Sequence, residues 1–129
     1  MPDFTLSRID DMEAVFFGSF KRARATLGVE SFGMQVIDFP PNATQYPEHD
    51  ETASGQEEVF VVLRGDGEIE IDGERQAIDP ETMVRVGPAA KRKIWPGAQG
   101  MRLLALGGCP GKLYAAPDVT KLGAPDPGL

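Results

Sequence analysis

Between about residues 32 and 107 the chain is a succession of short apolar runs broken by turn residues. Phe32 to Phe39 (F-G-M-Q-V-I-D-F) reads as a strand closed by Pro40-Pro41. Val59 to Leu63, Glu68 to Ile71, Thr82 to Val86, Lys93 to Trp95 and Met101 to Leu106 are further runs rich in β-branched and aliphatic residues. The turn signals Gly65-Asp66-Gly67, Asp72-Gly73, Asp79-Pro80, Gly87-Pro88, Pro96-Gly97 and Gly107-Gly108 begin 7, 7, 8, 9 and 11 residues apart. Short strands at such even spacing predict an all-β sandwich or barrel. Asp72-Gly73 is the strongest hairpin signal, because both central positions of a type I′ turn need positive φ. Alternation in E-I-E-I turns Ile69 and Ile71 inward and leaves Glu68 and Glu70 in solvent.

One short helix is predicted upstream, with Ser19 as N-cap and Gly28 just past its end. Phe20, Ala23 and Leu27 would share its apolar face, while Lys21, Arg22 and Arg24 would form a solvated basic face. From Ala115 the chain carries three prolines and no periodicity, and reads as an arm or a disordered end. The expected division is an N-terminal segment with the helix (1–31), a β-barrel domain (32–110) and a Pro-rich C-terminal arm (111–129).

Composition narrows the function. A chain of 129 residues closes one sizeable core but not two. With 15 glycines and 11 prolines it does not suit a helical bundle. Its net charge of −7 repels phosphate backbones, so nucleic acid is not an expected partner. The single cysteine, Cys109, allows neither an internal disulfide nor a thiolate zinc cluster and reads as structural. No apolar run approaches membrane-spanning length and no signal-peptide stretch opens the chain, so a cytoplasmic location with no membrane partner is expected.

The chemistry concentrates in one stretch. The only histidine, His49, lies in Y-P-E-H-D-E, and seven residues after Glu51 comes Glu58, first residue of E-V-F-V-V-L-R-G. Glu58, Phe60 and Val62 share one strand face, which points the carboxylate toward the interior. An unpaired buried charge is costly. Either a cation is held there, or the glutamates are paired, protonated or less buried than the pattern implies. No serine or cysteine stands in a nucleophile turn such as G-x-S-x-G, and Gly65-Asp66-Gly67 reads as a hairpin turn, not a phosphate cradle.

These features resemble the cupin superfamily over about residues 34 to 107. Its first motif runs Gly, five residues, His-x-His, three or four residues, Glu, six residues, Gly. Here His49 matches the first histidine, Glu58 the glutamate and Gly65 the closing glycine; Glu51 replaces the second histidine, and the loop before Glu58 is longer. The opening glycine falls on Ala43 or Asn42. In the second motif the histidine falls on Arg92, the asparagine on Pro96, and the glycines on Glu81 and Ala89. The resemblance implies a double-stranded β-helix, a jelly-roll barrel with the short helix outside it, and a preference for homodimers.

It also implies a site. His49, Glu51 and Glu58 would be metal ligands, an N/O set suited to zinc, manganese or iron. Arg92 takes the fourth ligand's place. A guanidinium about 5 Å from a dication repels it by roughly 6 kcal/mol at an effective dielectric near 20, provided its head stays inside. Arg92 could instead pair with Glu58 or Glu51, or receive the carboxylate or phosphate of a small ligand. Tyr46, Gln35 and Trp95 are read as pocket linings. The leading expectation is small-molecule binding in the barrel, with a degraded metal site that is empty or weakly occupied. The alternatives are a metal-dependent oxygenase or isomerase using His49, Glu51 and Glu58, and a non-catalytic scaffold or regulatory barrel.

Overall fold

The computed structural model describes residues 2–127. Its strands are β1 (Ala14–Val15), β2 (Phe20–Lys21), β3 (Gly33–Phe39), β4 (Glu57–Ile71), β5 (Glu74–Ile78), β6 (Met83–Val86) and β7 (Arg92–Gly108). They pair throughout as antiparallel neighbours in the order β1-β2-β3-β7-β4-β5, with β6 on β4. The all-β expectation holds. No helix among the described residues is long and apolar enough to cross a membrane.

Three of the expected turns are not turns. Gly65-Asp66-Gly67 and Pro96-Gly97 lie inside β4 and β7, which run on as one long antiparallel pair. The register shifts there, with Gly65 opposite Met101 and Gly67 opposite Pro96, so residues 97–100 bulge out of the ladder. Glycine is required by close approach: a Cβ on Gly65 would strike the Gly100 carbonyl, and one on Gly67 would lie 3.0 Å from the Pro96 Cα. Gly107-Gly108 likewise closes β7 as strand. Asp72 and Gly73 do form the expected hairpin tip, with φ of 49° and 87°.

The inner face is graded from its mouth inward. Across strands β3, β7, β4 and β6 the first row is Gly33, Gly107, Glu58 and Val86. The next is Gln35, Ala105, Phe60 and Val84; the third is Ile37, Leu103 and Val62. Opposed residues on paired strands share a face, so polarity is confined to the outer two rows. Phe60 and Val86 of these rows join Val62, Leu103, Met101, Ile69, Ile78 and Ile94 in one apolar core. Each such side chain contributes on the order of 1.5–3 kcal/mol by leaving water.

The segment before the barrel differs from its expectation. Helix α1 is only Ala23–Leu27, Phe20–Lys21 is strand, and Arg22 occupies the N-cap position; Gly28 ends the helix at φ 78° as expected. The basic face is not solvated, since Lys21 and Arg22 are buried. Arg22, 1% exposed, donates from Nε to the Val119 carbonyl (2.8 Å) and from Nη2 to the Ala124 carbonyl (2.9 Å), and pairs through Nη1 with Glu13 (2.9 Å). The tail is therefore an arm strapped to the N-terminal segment, at least through the described residues. A second cluster, Met12, Ala23 and Val36 with Ile9, Met34 and Leu104, fixes that segment on the outside of β3 and β7.

Candidate functional site

His49 is joined to the barrel by an isolated antiparallel bridge to Arg92. His49 N–H donates to the Arg92 carbonyl (3.1 Å), and Arg92 N–H donates to that of His49 (2.8 Å). Such a pair sends both side chains to the same side of the ladder, here the interior face that carries Ile94 and Ile69. Glu51 is tied to the turn ahead of β7 by its N–H on the Pro88 carbonyl (2.8 Å). Glu58 enters from the first row of β4. One ligand atom from each of His49, Glu51 and Glu58 lies within 4.8 Å of the others, so the three expected metal ligands do converge.

Arg92 joins them and is the least accessible member, 0% exposed. Its Nη2 donates to the Gly87 carbonyl (2.7 Å), while Nη1 stands 3.5 Å from Glu58 Oε1. That ion pair is too long and misaligned to be a hydrogen bond. Arg92 Nε and Nη1 and Glu58 Oε1 are all buried without a hydrogen-bond partner. Buried polar atoms are rarely left so. The guanidinium head is inside the barrel, the condition under which its repulsion of a dication counts.

The acidities follow from this crowding. Burial, followed by the negative charge of Glu51, raises the Glu58 carboxyl above its ordinary value, and these outweigh the attraction of Arg92. Glu51 is shifted down, chiefly by its hydrogen bond with His49 and also by Ser54, whose Oγ donates to Oε2 at 3.0 Å. His49 is shifted up, chiefly by Glu51 at 3.3 Å from Nε2. Its Nδ1 lies 3.0 Å from the Pro47 carbonyl, which can only accept, so Nδ1 carries a proton. That leaves Nε2 either to bond Glu51 as imidazolium or to offer its lone pair to a cation, the arrangement seen where a backbone carbonyl orients a metal-binding histidine.

Tyr46 packs against this cluster, its ring 5.6 Å from that of His49 and 5.7 Å from that of Phe39. Burial drives its phenol well above the ordinary range, so it is a neutral wall. Gln35 lies in the second row, 8% exposed, with a buried Oε1 that has no partner. Trp95 is not a pocket residue: it is on the outer face under Arg75 (4.2 Å) and Lys93 (4.5 Å), its indole N–H on Glu70 (3.1 Å). Cys109 bonds the Ser54 carbonyl through Sγ (3.1 Å).

Two residues at the mouth had no signal in the strand pattern. The Tyr114 ring, from the arm, lies over Gly33, with its hydroxyl 2.8 Å from where a Cβ would stand. Gln56 lies over Gly107 in the same way, its Oε1 at 2.5 Å. Glycines facing inward on neighbouring strands were the available clue, since a strand glycine marks close approach. Two grooves elsewhere, about 460 Å³ beside Trp95 and Arg75 and about 390 Å³ beside Phe32 and Val59, are both outside the barrel and include no member of the cluster.

No protein-family profile and no curated protein matches the sequence. Solved structures do. A cupin protein from Bacteroides fragilis superposes with a TM-score of 0.68, at 19% identity, over 91% of this chain and 93% of the other. The cupin domain of an XRE-family transcriptional regulator from Enterobacter cloacae gives 0.54 at 25% identity, over 64% and 86%. An RmlC-like cupin from Desulfovibrio desulfuricans gives 0.54 at 20%, over 61% and 73%. The chain has the cupin fold. That fold hosts unrelated activities, so function has to be argued from the site.

Proposed function

We propose that the protein binds a small organic acid in the mouth of its barrel, beside a degraded metal centre that holds a divalent ion weakly or not at all. The observation that carries this reading is Arg92: fully buried, 3.5 Å from Glu58, with two nitrogens lacking partners. Guanidinium N–H groups without partners form strong charge-assisted hydrogen bonds with a carboxylate. Glu58, whose carboxyl is shifted upward by burial and by Glu51, would when protonated donate to the same carboxylate instead of repelling it.

The donor set fits a divalent ion only in part. His49 Nε2 and Glu51 would hold zinc, manganese or iron, and Glu58 would join only by parting from Arg92. A bound ion would supply a Lewis acid at the mouth. The oriented imidazole favours a second reading, a metal-dependent oxygenase or isomerase built on His49, Glu51 and Glu58. Metal analysis of protein purified without chelator or affinity-tag metal separates the two: the enzyme reading requires close to one equivalent, the leading reading less than about a tenth.

Thermal-shift measurements with small organic acids test the binding itself. Stabilisation that Arg92→Ala abolishes is the expected result, and no stabilisation by any acid overturns the reading in favour of a scaffold. The reading includes a cytoplasmic homodimer. Its support is that β6 pairs only with β4 among the described strands, next to the exposed Met83 and the groove of Phe32, Val59 and Leu106. Sedimentation at micromolar concentration, with Met83→Lys as the disrupting variant, checks it.

A further inference from the structure

We propose that Tyr114 and Gln56 set the specificity of the site: they close the barrel mouth on its β3–β7 side and confine it to short carboxylic acids. This rests on the small-acid reading above and names the class of acid.

The inner face leaves a gap that the chain fills from outside the sheet. In the first row Glu58, Gly107 and Gly33 stand side by side on β4, β7 and β3. Adjacent strands are about 4.8 Å apart, so the row runs about 10 Å from Glu58 to Gly33. Two neighbouring positions without side chains would leave that length open. Instead Gln56 Oε1 lies 2.5 Å from where a Cβ on Gly107 would stand. The Tyr114 hydroxyl, Cε1 and Cζ lie 2.8, 3.1 and 3.1 Å from the same position on Gly33. Contacts that close leave no room for a ligand between the side chains and the strands.

Both fillers are held in place. Tyr114 belongs to a strap tied at either end: Cys109 Sγ donates to the Ser54 carbonyl (3.1 Å) before it, and Arg22 Nε donates to the Val119 carbonyl (2.8 Å) after it. Further on, Gly123 N–H donates to Glu13 Oε2 (2.9 Å). Gln56 is the residue immediately before β4, so it moves with the strand that carries Glu58.

The cluster is reached at its other rim. The His49 and Glu51 side chains are 32% and 23% exposed, whereas Arg92 is fully buried. An acid approaching Arg92 therefore passes those two residues. His49 Nε2 and Glu51 Oε1 stand 3.3 Å apart, so a wide body there would have to part them. A body turned along the row would meet Gln56 and then Tyr114. Acetate, with only a methyl group behind its carboxylate, escapes both limits, and benzoate meets both. Discrimination of this kind comes from clashes built against the larger competitor.

His49 is the only histidine, so its imidazole proton signals report on the site without overlap. The full chain, freed of metal by chelator, is titrated with acetate and with benzoate at constant pH and ionic strength. Wild type is expected to bind acetate at least about tenfold tighter than benzoate, against the usual advantage of the larger apolar surface. The double variant Gln56→Ala with Tyr114→Ala empties the row, and truncation cavities accept small aromatic molecules. Its benzoate affinity should rise at least about tenfold over wild type. Tyr114→Phe, which keeps the ring, should exclude benzoate as wild type does. Gln56→Ala alone should gain about threefold, and it carries the test if the double variant does not fold. Wild type that binds benzoate as tightly as acetate, or variants that gain nothing for benzoate, would overturn the assignment of Tyr114 and Gln56 and spare the acid site. If neither acid moves the His49 signals in wild type or variant, the acid site is overturned and this specificity with it.

Discussion

Arg92 and Glu58 form an ion pair inside the barrel in which neither side of the contact is hydrogen-bonded to the other: Nη1 and Oε1 are 3.5 Å apart, and both atoms are buried without partners. A guanidinium stands where the cupin pattern has a fourth metal ligand. It supplies the positive charge that an interior carboxylate needs. It does so imperfectly, because burial and the neighbouring Glu51 still raise the Glu58 carboxyl. The interior therefore keeps hydrogen-bonding capacity that a ligand can satisfy.

The pH dependence of stability follows from the cluster. His49 and Glu58 both titrate above their ordinary values of 6.5 and 4.5. The stability each lends is complete below its ordinary value and is lost as pH rises through the raised one. Asp38 is shifted below 3.8 by Arg102 and Glu51 below 4.5 by His49, so their contributions exist above those values and disappear in acid. Metal-free protein should lose melting temperature between about pH 6 and pH 8, and His49→Gln should flatten that decline. A wild-type melting temperature that rises over the same range would contradict the assigned interactions.

Arg22 should matter more than any other surface-sequence arginine. Truncation to alanine removes two charge-assisted hydrogen bonds to half-buried carbonyls, at Val119 and Ala124, and should cost about 2–4 kcal/mol in urea unfolding. The arm should also become the first site of proteolysis. Arg8→Ala serves as the contrast, with no measurable cost.

The strand bulges make a steric prediction. Gly67→Ala drives a methyl against the Pro96 backbone and should destabilise by about 1–3 kcal/mol. Gly65→Ala adds a left-handed φ of 79° to the same clash. Gly108→Ala, with nothing within 4 Å of its Cβ position, should be close to neutral. Chemical denaturation of the three variants orders them; equal effects would contradict the account of the bulges.

Much of this was legible in the chain, for identifiable reasons. Alternation placed Ile69 and Phe60 inside, and Asp72-Gly73 declared its own turn, because both signals are local. His49, Glu51, Glu58 and Arg92 came together through motif spacing. Gly65-Asp66-Gly67 misled because a glycine-rich bulge and a hairpin tip share a composition; only the partner strand distinguishes them. Arg22 was unreadable for the opposite reason. One arginine in K-R-A-R looks like the next, and its burial depends on an arm about a hundred residues away. Tyr114 was hidden likewise, since a ring from the arm lies over a glycine of β3.

Arg92 is proposed to weaken divalent-ion binding in this barrel. Calorimetric titration of zinc into chelator-treated wild type and Arg92→His measures it most directly. The account predicts weak binding to wild type and at least about tenfold tighter binding to the variant, a difference of about 1.4 kcal/mol. Equal affinities, or one tight equivalent in wild type, would contradict it.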